Sequence, residues 1–204
     1  LAAILGYVET LQEMNGEADG PTRHRFLSII DREAGRMQQL VIDLLSISRV
    51  EADRFRRPTT PVDLAAIVRG TIAQLQDSES ARPTDIVARL GQEKQPMLGD
   101  EAQLGQLAHN VISNAMKYGR PGTPVTVELA REGQRIRLSV RDEGEGIAPD
   151  HIPRLTERFY RVDEARSRSV GGTGLGLAIV KHISERHQGQ LDIESELGKG
   201  TKVS

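Results

Sequence analysis

Asn110, Asn114 and Lys117 stand at i, i+4 and i+7 in the run HNVISNAMKYG. On a helix of about 3.6 residues per turn that spacing puts two carboxamides and one ammonium on a single face. A carboxamide oxygen is a neutral donor that suits Mg²⁺ when phosphates and waters complete its shell, and an ammonium offsets phosphate charge. Downstream come Asp142-x-Gly144-x-Gly146 and then GGTGLGLAIVK, from Gly171 to Lys181. Asp142 can accept a hydrogen bond from an exocyclic amine, while Gly144 and Gly146, without Cβ atoms, leave room for a flat base. That chemistry fits adenine better than guanine. Thr173-Gly174-Leu175-Gly176 opens an expected helix, whose free N–H groups and dipole favour phosphate.

Each segment alone has an ordinary reading. An asparagine on a helix face is usually just solvated, and DxGxG is often a turn. The P-loop string G-x-x-x-x-G-K-[ST] does not occur, and the glycine run comes too late in its domain, after no early strand, for a dinucleotide fingerprint. What points to a nucleotide pocket is the order: asparagine helix, DxGxG, a long arginine-rich stretch, GTGLG, and a final GKGT.

The elements that must position these groups follow from periodicity. Asp100 is a suitable N-cap for a helix over roughly Glu101 to Tyr118, with Leu104, Leu107, Ala108, Val111 and Ala115 as its buried stripe. Val125, Val127 and Leu129, then Ile136, Leu138 and Val140, alternate with polar residues around Arg131 to Gln134, which predicts a hairpin delivering Asp142 at a strand end. Pro149 to Gly172 lacks a period and reads as a partly helical loop able to close over a site. Leu175 to His187 is expected as a helix, with strands at Leu191 and Ile193 and after Gly200. Earlier, Leu64, Ile67, Val68, Ile72 and Leu75 mark an amphipathic helix, and Ile86, Ala88 and Leu90 a short strand. The mixture is α+β, with helices on one face of a mixed sheet.

Ahead of these, Leu1 to Leu11 and Phe26 to about Arg54 carry apolar residues at three-four spacing, separated by turn chemistry from Asn15-Gly16 through Gly20-Pro21. They predict a helical hairpin too small to hide its own stripe, so a four-helix bundle formed by two copies is the expected solution. The expected division is 1–55 for the hairpin, 56–61 (RRPTTP) as a hinge linker, and 62–204 for the second domain.

With 204 residues and 37% hydrophobic content, the chain can bury a core. A net charge of −2, from 27 basic and 29 acidic side chains, gives no field that would gather nucleic acid or anionic lipid. No window approaches the roughly 18 apolar residues of a membrane span. Without cysteine there are neither disulfides nor thiolate metal sites. Leu1 opens inside one periodic segment and Ser204 closes inside another, which reads as a piece of a longer protein.

Taken together, these segments resemble the sensor histidine kinases, whose ATP domain has the Bergerat fold shared with gyrase, the Hsp90 chaperones and MutL. NVISNAMKYG is similar to the family's N box, DEGEGI to its G1 box, ERFYRVDEARSR to its F box and GGTGLGLAIVK to its G2 box, with GKGT as the last glycine turn. The hairpin resembles the dimerisation and phosphoacceptor domain, and GYVETL with FYRVDEARSR is most similar to the phosphate-sensing subgroup. The resemblance implies a half-bundle followed by a Bergerat-type α/β sandwich. It implies ATP and Mg²⁺ as ligands, a second copy of the chain and a response-regulator receiver domain as partners, and a cytoplasmic location in a protein anchored in the inner membrane.

By the same resemblance Asn110 lies beside the phosphates, Asn114 ligates Mg²⁺, Lys117 contacts phosphate, Tyr118 packs by the base and Asp142 binds the adenine amine. Gly144, Gly146 and Ile147 shape the base pocket, and Phe159 anchors the lid. Arg158 and Arg161 or Arg168 reach the γ-phosphate on closure. Gly172, Thr173, Gly174, Leu175, Gly176 and Leu177 wrap the phosphates, and Thr201 lines the adenine end. The family's acceptor histidine, followed by an acid, falls upstream of Leu1. His24, His109, His151, His182 and His187 lack that context. A protein serine kinase of the same fold and a non-catalytic ATP-binding scaffold for a response regulator are the alternatives.

Overall fold

The computed structural model describes residues 2–14, 19–52, 56–77, 86–163 and 172–204. Two helices come first, α1 (Ala2–Glu13) and α2 (Gly20–Ala52). Gly20-Pro21, expected in the turn, instead begins α2. The Asp19 carboxylate accepts the Thr22 N–H at 3.0 Å, and proline costs no intrahelical bond in a first turn, where its missing N–H would have no partner. Tyr7 and Phe26 meet with ring centroids 5.2 Å apart, but no residue of α1 is fully buried. Leu27, Val41, Ile42, Leu44 and Leu45 of α2 stay exposed. The pair therefore leaves most of its apolar stripe in water.

The rest is a layer of helices on a sheet. β1 (Pro61–Asp63) pairs with β3 (Pro96–Leu98), a small ribbon that periodicity did not suggest because three residues are too few to alternate. Between them lie α3 (Leu64–Asp77) and β2 (Ile86–Arg89). α4 (Glu101–Tyr118) starts where expected, with Asp100 accepting the Gln103 N–H at 3.1 Å. β4 (Val125–Glu132) and β5 (Arg135–Asp142) form the expected hairpin, closed more tightly than the residue pattern suggested, around Gly133-Gln134. A 3₁₀ turn (Pro149–Arg154), α5 (Gly176–Arg186), β6 (Ile193–Glu196) and β7 (Gly200–Val203) complete the chain. The sheet order is β2-β4-β5-β7-β6, with β2 parallel to β4 and the other pairs antiparallel.

Val125, Val127, Leu129 and Val140 from the sheet interlock with Leu104, Ala108, Val111 and Ile112 of α4, backed by Val68 and Ile72 of α3. Ile112 is wholly buried, so truncating it to alanine would cost about 2–5 kcal/mol. This core fixes α4, and with it the face carrying Asn110 and Asn114. A second cluster joins the two parts of the chain: Ile47 and Val50 of α2 pack on Leu175, Ile179 and Ile183 at α5. That end of the α2 stripe is spent on the sheet domain rather than on the hairpin.

Candidate functional site

α4, the end of β5, the start of α5 and β7 converge. The Asn110 Nδ2 donates to the Gly176 carbonyl at 3.3 Å. A Cβ built on Gly176 would sit 3.8 Å from both Asn110 and Asn114, so the α5 N-terminus lies directly over the asparagine face. Lys117, one turn further along, keeps solvent access. Desolvation still pushes its pKa below the ordinary lysine value, and the nearby Asp43 charge partly restores it. His109 is lowered as well, first by burial and then by Lys117.

At the other end Asp142 is buried, and desolvation raises its pKa, opposed by the N–H groups of Gly144 and Thr201. Its Oδ1 accepts the Gly144 N–H at 2.8 Å. Tyr118 closes α4 here, its carbonyl lying against Gly144. Gly200, at φ +108°, is required: a Cβ there would run into the Asp142 carbonyl. Ser195 ties the floor together, accepting the Ile147 N–H at 2.9 Å and sharing a 2.8 Å hydrogen bond with the Thr201 hydroxyl. Gly146 abuts the Glu196 carbonyl, so the first glycine segment is walled by backbone on two sides.

The loop expected to close over the site holds one residue in a strained conformation. Phe159 is 57% exposed and sits at φ +64°, unusual for a bulky residue. Its N–H donates to the Gly174 carbonyl at 2.8 Å, which joins the lid to the glycine loop. Tyr160 shares a 2.5 Å hydrogen bond with His151 Nδ1, and the Arg154 guanidinium covers the Tyr160 ring at 4.2 Å. Arg161 is half-buried beside them. Arg158, expected to reach toward phosphate, is paired instead with Glu51 of α2. Arg168 lies outside the described residues.

Within the second glycine run, Gly172 and Leu177 are half-buried and Thr173 is buried. The Leu175 side chain is fully buried and faces α2, and its N–H donates to the Thr173 hydroxyl at 3.3 Å. Thr173 in turn donates to Asp43 Oδ2 at 2.7 Å. Asp43 is the residue that sequence reasoning missed. It lies 130 positions from its partner, and nothing in LVIDLL distinguishes it from any other helical acid. A separate groove of about 390 Å³ mixes Arg89, Arg141 and Lys202 with Glu128 and Glu143 and holds none of the expected site residues.

A buried carboxylate behind glycine walls and an ammonium beside two carboxamides fit the two ends of a nucleotide. Residues 99–204 match the family described as histidine kinase-, DNA gyrase B-, and HSP90-like ATPase, and residues 1–53 match the His Kinase A (phospho-acceptor) domain. The chain is 39% identical over 98% of its length to the phosphate regulon sensor protein PhoR of Pseudomonas aeruginosa. It is 36% identical over 98% to the sensor histidine kinase RppB of Synechocystis. It spans 45% and 44% of those two proteins. Full-length ShkA, solved in complex with AMPPNP, is similar at TM-score 0.71 and 29% identity, over 93% of this chain and 39% of that one. The Acinetobacter baumannii histidine kinase AdeS shares the fold at TM-score 0.72 and 22% identity, over 99% and 92% of the two chains. By these matches, in order along one polypeptide, the chain belongs to the histidine kinase family, its sheet domain being the ATPase-type domain of that family.

Proposed function

We propose that this chain is the core of an ATP-dependent protein histidine kinase in a two-component system, divided into a hairpin (1–55), a hinge (56–61) and a catalytic domain (62–204). The observation that carries the reading is the seating of Gly176 over Asn110 and Asn114, which joins the phosphate-directed loop to the carboxamide face. Asp142 would accept the adenine amine through the oxygen not used by Gly144, with Tyr118, Gly144, Gly146, Ile147 and Thr201 around the base. Lys117, Asn110 and the backbone from Gly172 to Leu177 would neutralise and cradle the phosphates. A magnesium ion, held through Asn114 and the substrate's own phosphates, would supply charge neutralisation at the transferring group.

Phosphoryl transfer of this kind depends on positioning and charge rather than on a nucleophile made in the pocket. The acceptor would be a histidine of the hairpin domain, and the phosphoryl would then pass to an aspartate of a receiver domain. Arg158 and Arg161 or Arg168 would approach the γ-phosphate on lid closure, with Phe159 as the lid's anchor. The exposed Val41, Ile42, Leu44 and Leu45 support pairing of two hairpins into a homodimeric bundle. No helix among the described residues is long and apolar enough to cross a membrane, so anchoring would use other segments of a longer protein. PhoR-like similarity supports the phosphate-sensing subgroup.

Asn114→Ala tests the site. Calorimetric titration should show the Mg²⁺-dependent part of ATP binding abolished, and unchanged affinity in Mg²⁺ would refute the assignment. A chain extended upstream and incubated with labelled ATP should carry acid-labile label on histidine. Acid-stable label on a partner's serine would favour the serine-kinase alternative.

A further inference from the structure

Among the described residues two carboxylates are buried, Asp142 and Asp43, and the site described above accounts only for the first. Asp43 is 3% exposed and sits on α2, in the other part of the chain. One of its oxygens accepts the Gln39 amide at 2.8 Å, the other the Thr173 hydroxyl at 2.7 Å. Its charge acts on both Lys117 and His109, at the end of the pocket where phosphates belong. Around it α2 presents one continuous stripe. Ser46 donates to Gln106 Oε1 of α4 at 2.6 Å, Ile47 and Val50 pack on α5, and Glu51 pairs with Arg158. Asp43 is thus the charged centre of a docked interface, placed against the loop that would wrap a triphosphate.

A buried carboxylate and a triphosphate make incompatible demands on the same cations. Without nucleotide, Asp43 gives Lys117 an anion to face and holds Thr173 in place. With a triphosphate beside Lys117 and the glycine loop, like charges would meet in a poorly hydrated space, where repulsion is several times stronger than in water. From this conflict we propose that Asp43 is a clasp sensitive to phosphate charge: it closes α2 onto the glycine loop when the phosphate end is empty, and a bound triphosphate drives it off. Coupling of this kind is reciprocal, so docking of α2 weakens triphosphate binding by the same factor by which the triphosphate weakens docking. The inference rests on the nucleotide reading above and adds to it which end of the ligand the hairpin senses.

The test is a calorimetric series with adenosine, Mg·ADP and Mg·AMPPNP, titrated into the 204-residue chain and into Asp43→Asn, which keeps the shape but not the charge, its amide N–H meeting the Thr173 hydroxyl once that hydroxyl rotates to accept. The variant should bind AMPPNP about tenfold more tightly, ADP with a smaller gain, and adenosine unchanged. Ile47→Ser, which loosens the apolar half of the same interface, should give the same ranking and stands in if Asp43→Asn does not fold. A gain equal for all three ligands, or weaker AMPPNP binding by the variant, overturns the clasp and leaves the nucleotide site standing. Failure of every ligand to bind either protein overturns the site itself, and the clasp with it.

Discussion

Among the described residues two carboxylates are buried, and on the proposed reading they mark two differently built ends of one pocket. Asp142 is held by its own neighbourhood: the N–H groups of Gly144 and Thr201 bind it, and Gly200 leaves no space behind it. Asp43 arrives from another part of the chain and is held by side chains, Gln39 and Thr173. Backbone paired in a sheet cannot rearrange without breaking the ladder, whereas a helix docked through Ile47, Val50 and a few polar contacts can leave as a unit. On the proposed reading, recognition would be organised in advance at the base end, and the phosphate end would be where binding is coupled to movement.

The sharpest way to break this contrast is Asp142→Asn. The carboxylate has acceptors for both the Gly144 N–H and an adenine amine, whereas the carboxamide must turn an N–H toward one of them. ATP affinity should fall about a hundredfold, from the loss of a charge-assisted hydrogen bond in a dry site. GTP, expected to bind weakly to the unaltered site, should change little. Equal losses for the two nucleotides in parallel titrations would show that the base end is not specified by this carboxylate.

A pair of glycines separates rigidity at one end from openness at the other. Gly200→Ala drives a methyl into the Asp142 carbonyl at a φ that L-residues avoid, and should cost about 1–3 kcal/mol in urea denaturation. Gly176→Ala places its methyl 3.8 Å from Asn110 and Asn114, ordinary contact, so folding stability should stay within about 0.5 kcal/mol. Its effect should appear in triphosphate affinity alone. Similar destabilisation by both would mean that the phosphate end is as tightly filled as the base end.

Lys117→Met probes the cation that Asp43 and phosphate would share. AMPPNP should weaken by about tenfold while adenosine is unaffected, since the ammonium acts on charge rather than on the base. If adenosine weakens equally, Lys117 serves α4 packing and the division between the ends fails.

The local parts of both ends were legible in the sequence, and the contacts that α2 makes with them were not, for physical reasons. Asp142 and its glycines are local, and the alternation of β5 fixes which way the strand end points. Asp100 announces α4, and the apolar spacing behind Asn110 and Asn114 fixes their face. The Asp43–Thr173 contact spans 130 positions, and no periodicity encodes a docking of that range. The family resemblance makes Arg158 a phosphate ligand on closure, and only three dimensions reveal Glu51 as its partner here. Gly20-Pro21 misled because Gly-Pro has two uses, as a turn and as a helix start, and the Asp19 cap decides between them.

The smallest expected effect tests what both ends share, the seating of α4. His187 Nε2 accepts the Asp100 N–H at 3.0 Å, and Nδ1 donates to the Ile183 carbonyl at 2.8 Å, a pattern only the neutral imidazole can make. Burial holds the His187 pKa below the ordinary histidine value. A histidine depressed in the folded state contributes stability that is complete above its unfolded pKa of about 6.5 and is lost as the pH falls through the lower folded value. Melting temperature should therefore be flat from about pH 8 to 7 and decline below about 6.5. His187→Gln, which can keep both hydrogen bonds but does not titrate, should shallow that decline without removing it, because His109 is depressed in the same direction. Asp142 works the other way, its raised pKa favouring the fold as acid protonates it, so the comparison belongs above the carboxylate range. Identical slopes for wild type and variant would mean that α4 is seated by Asp100 and its apolar stripe alone, with His187 contributing only shape.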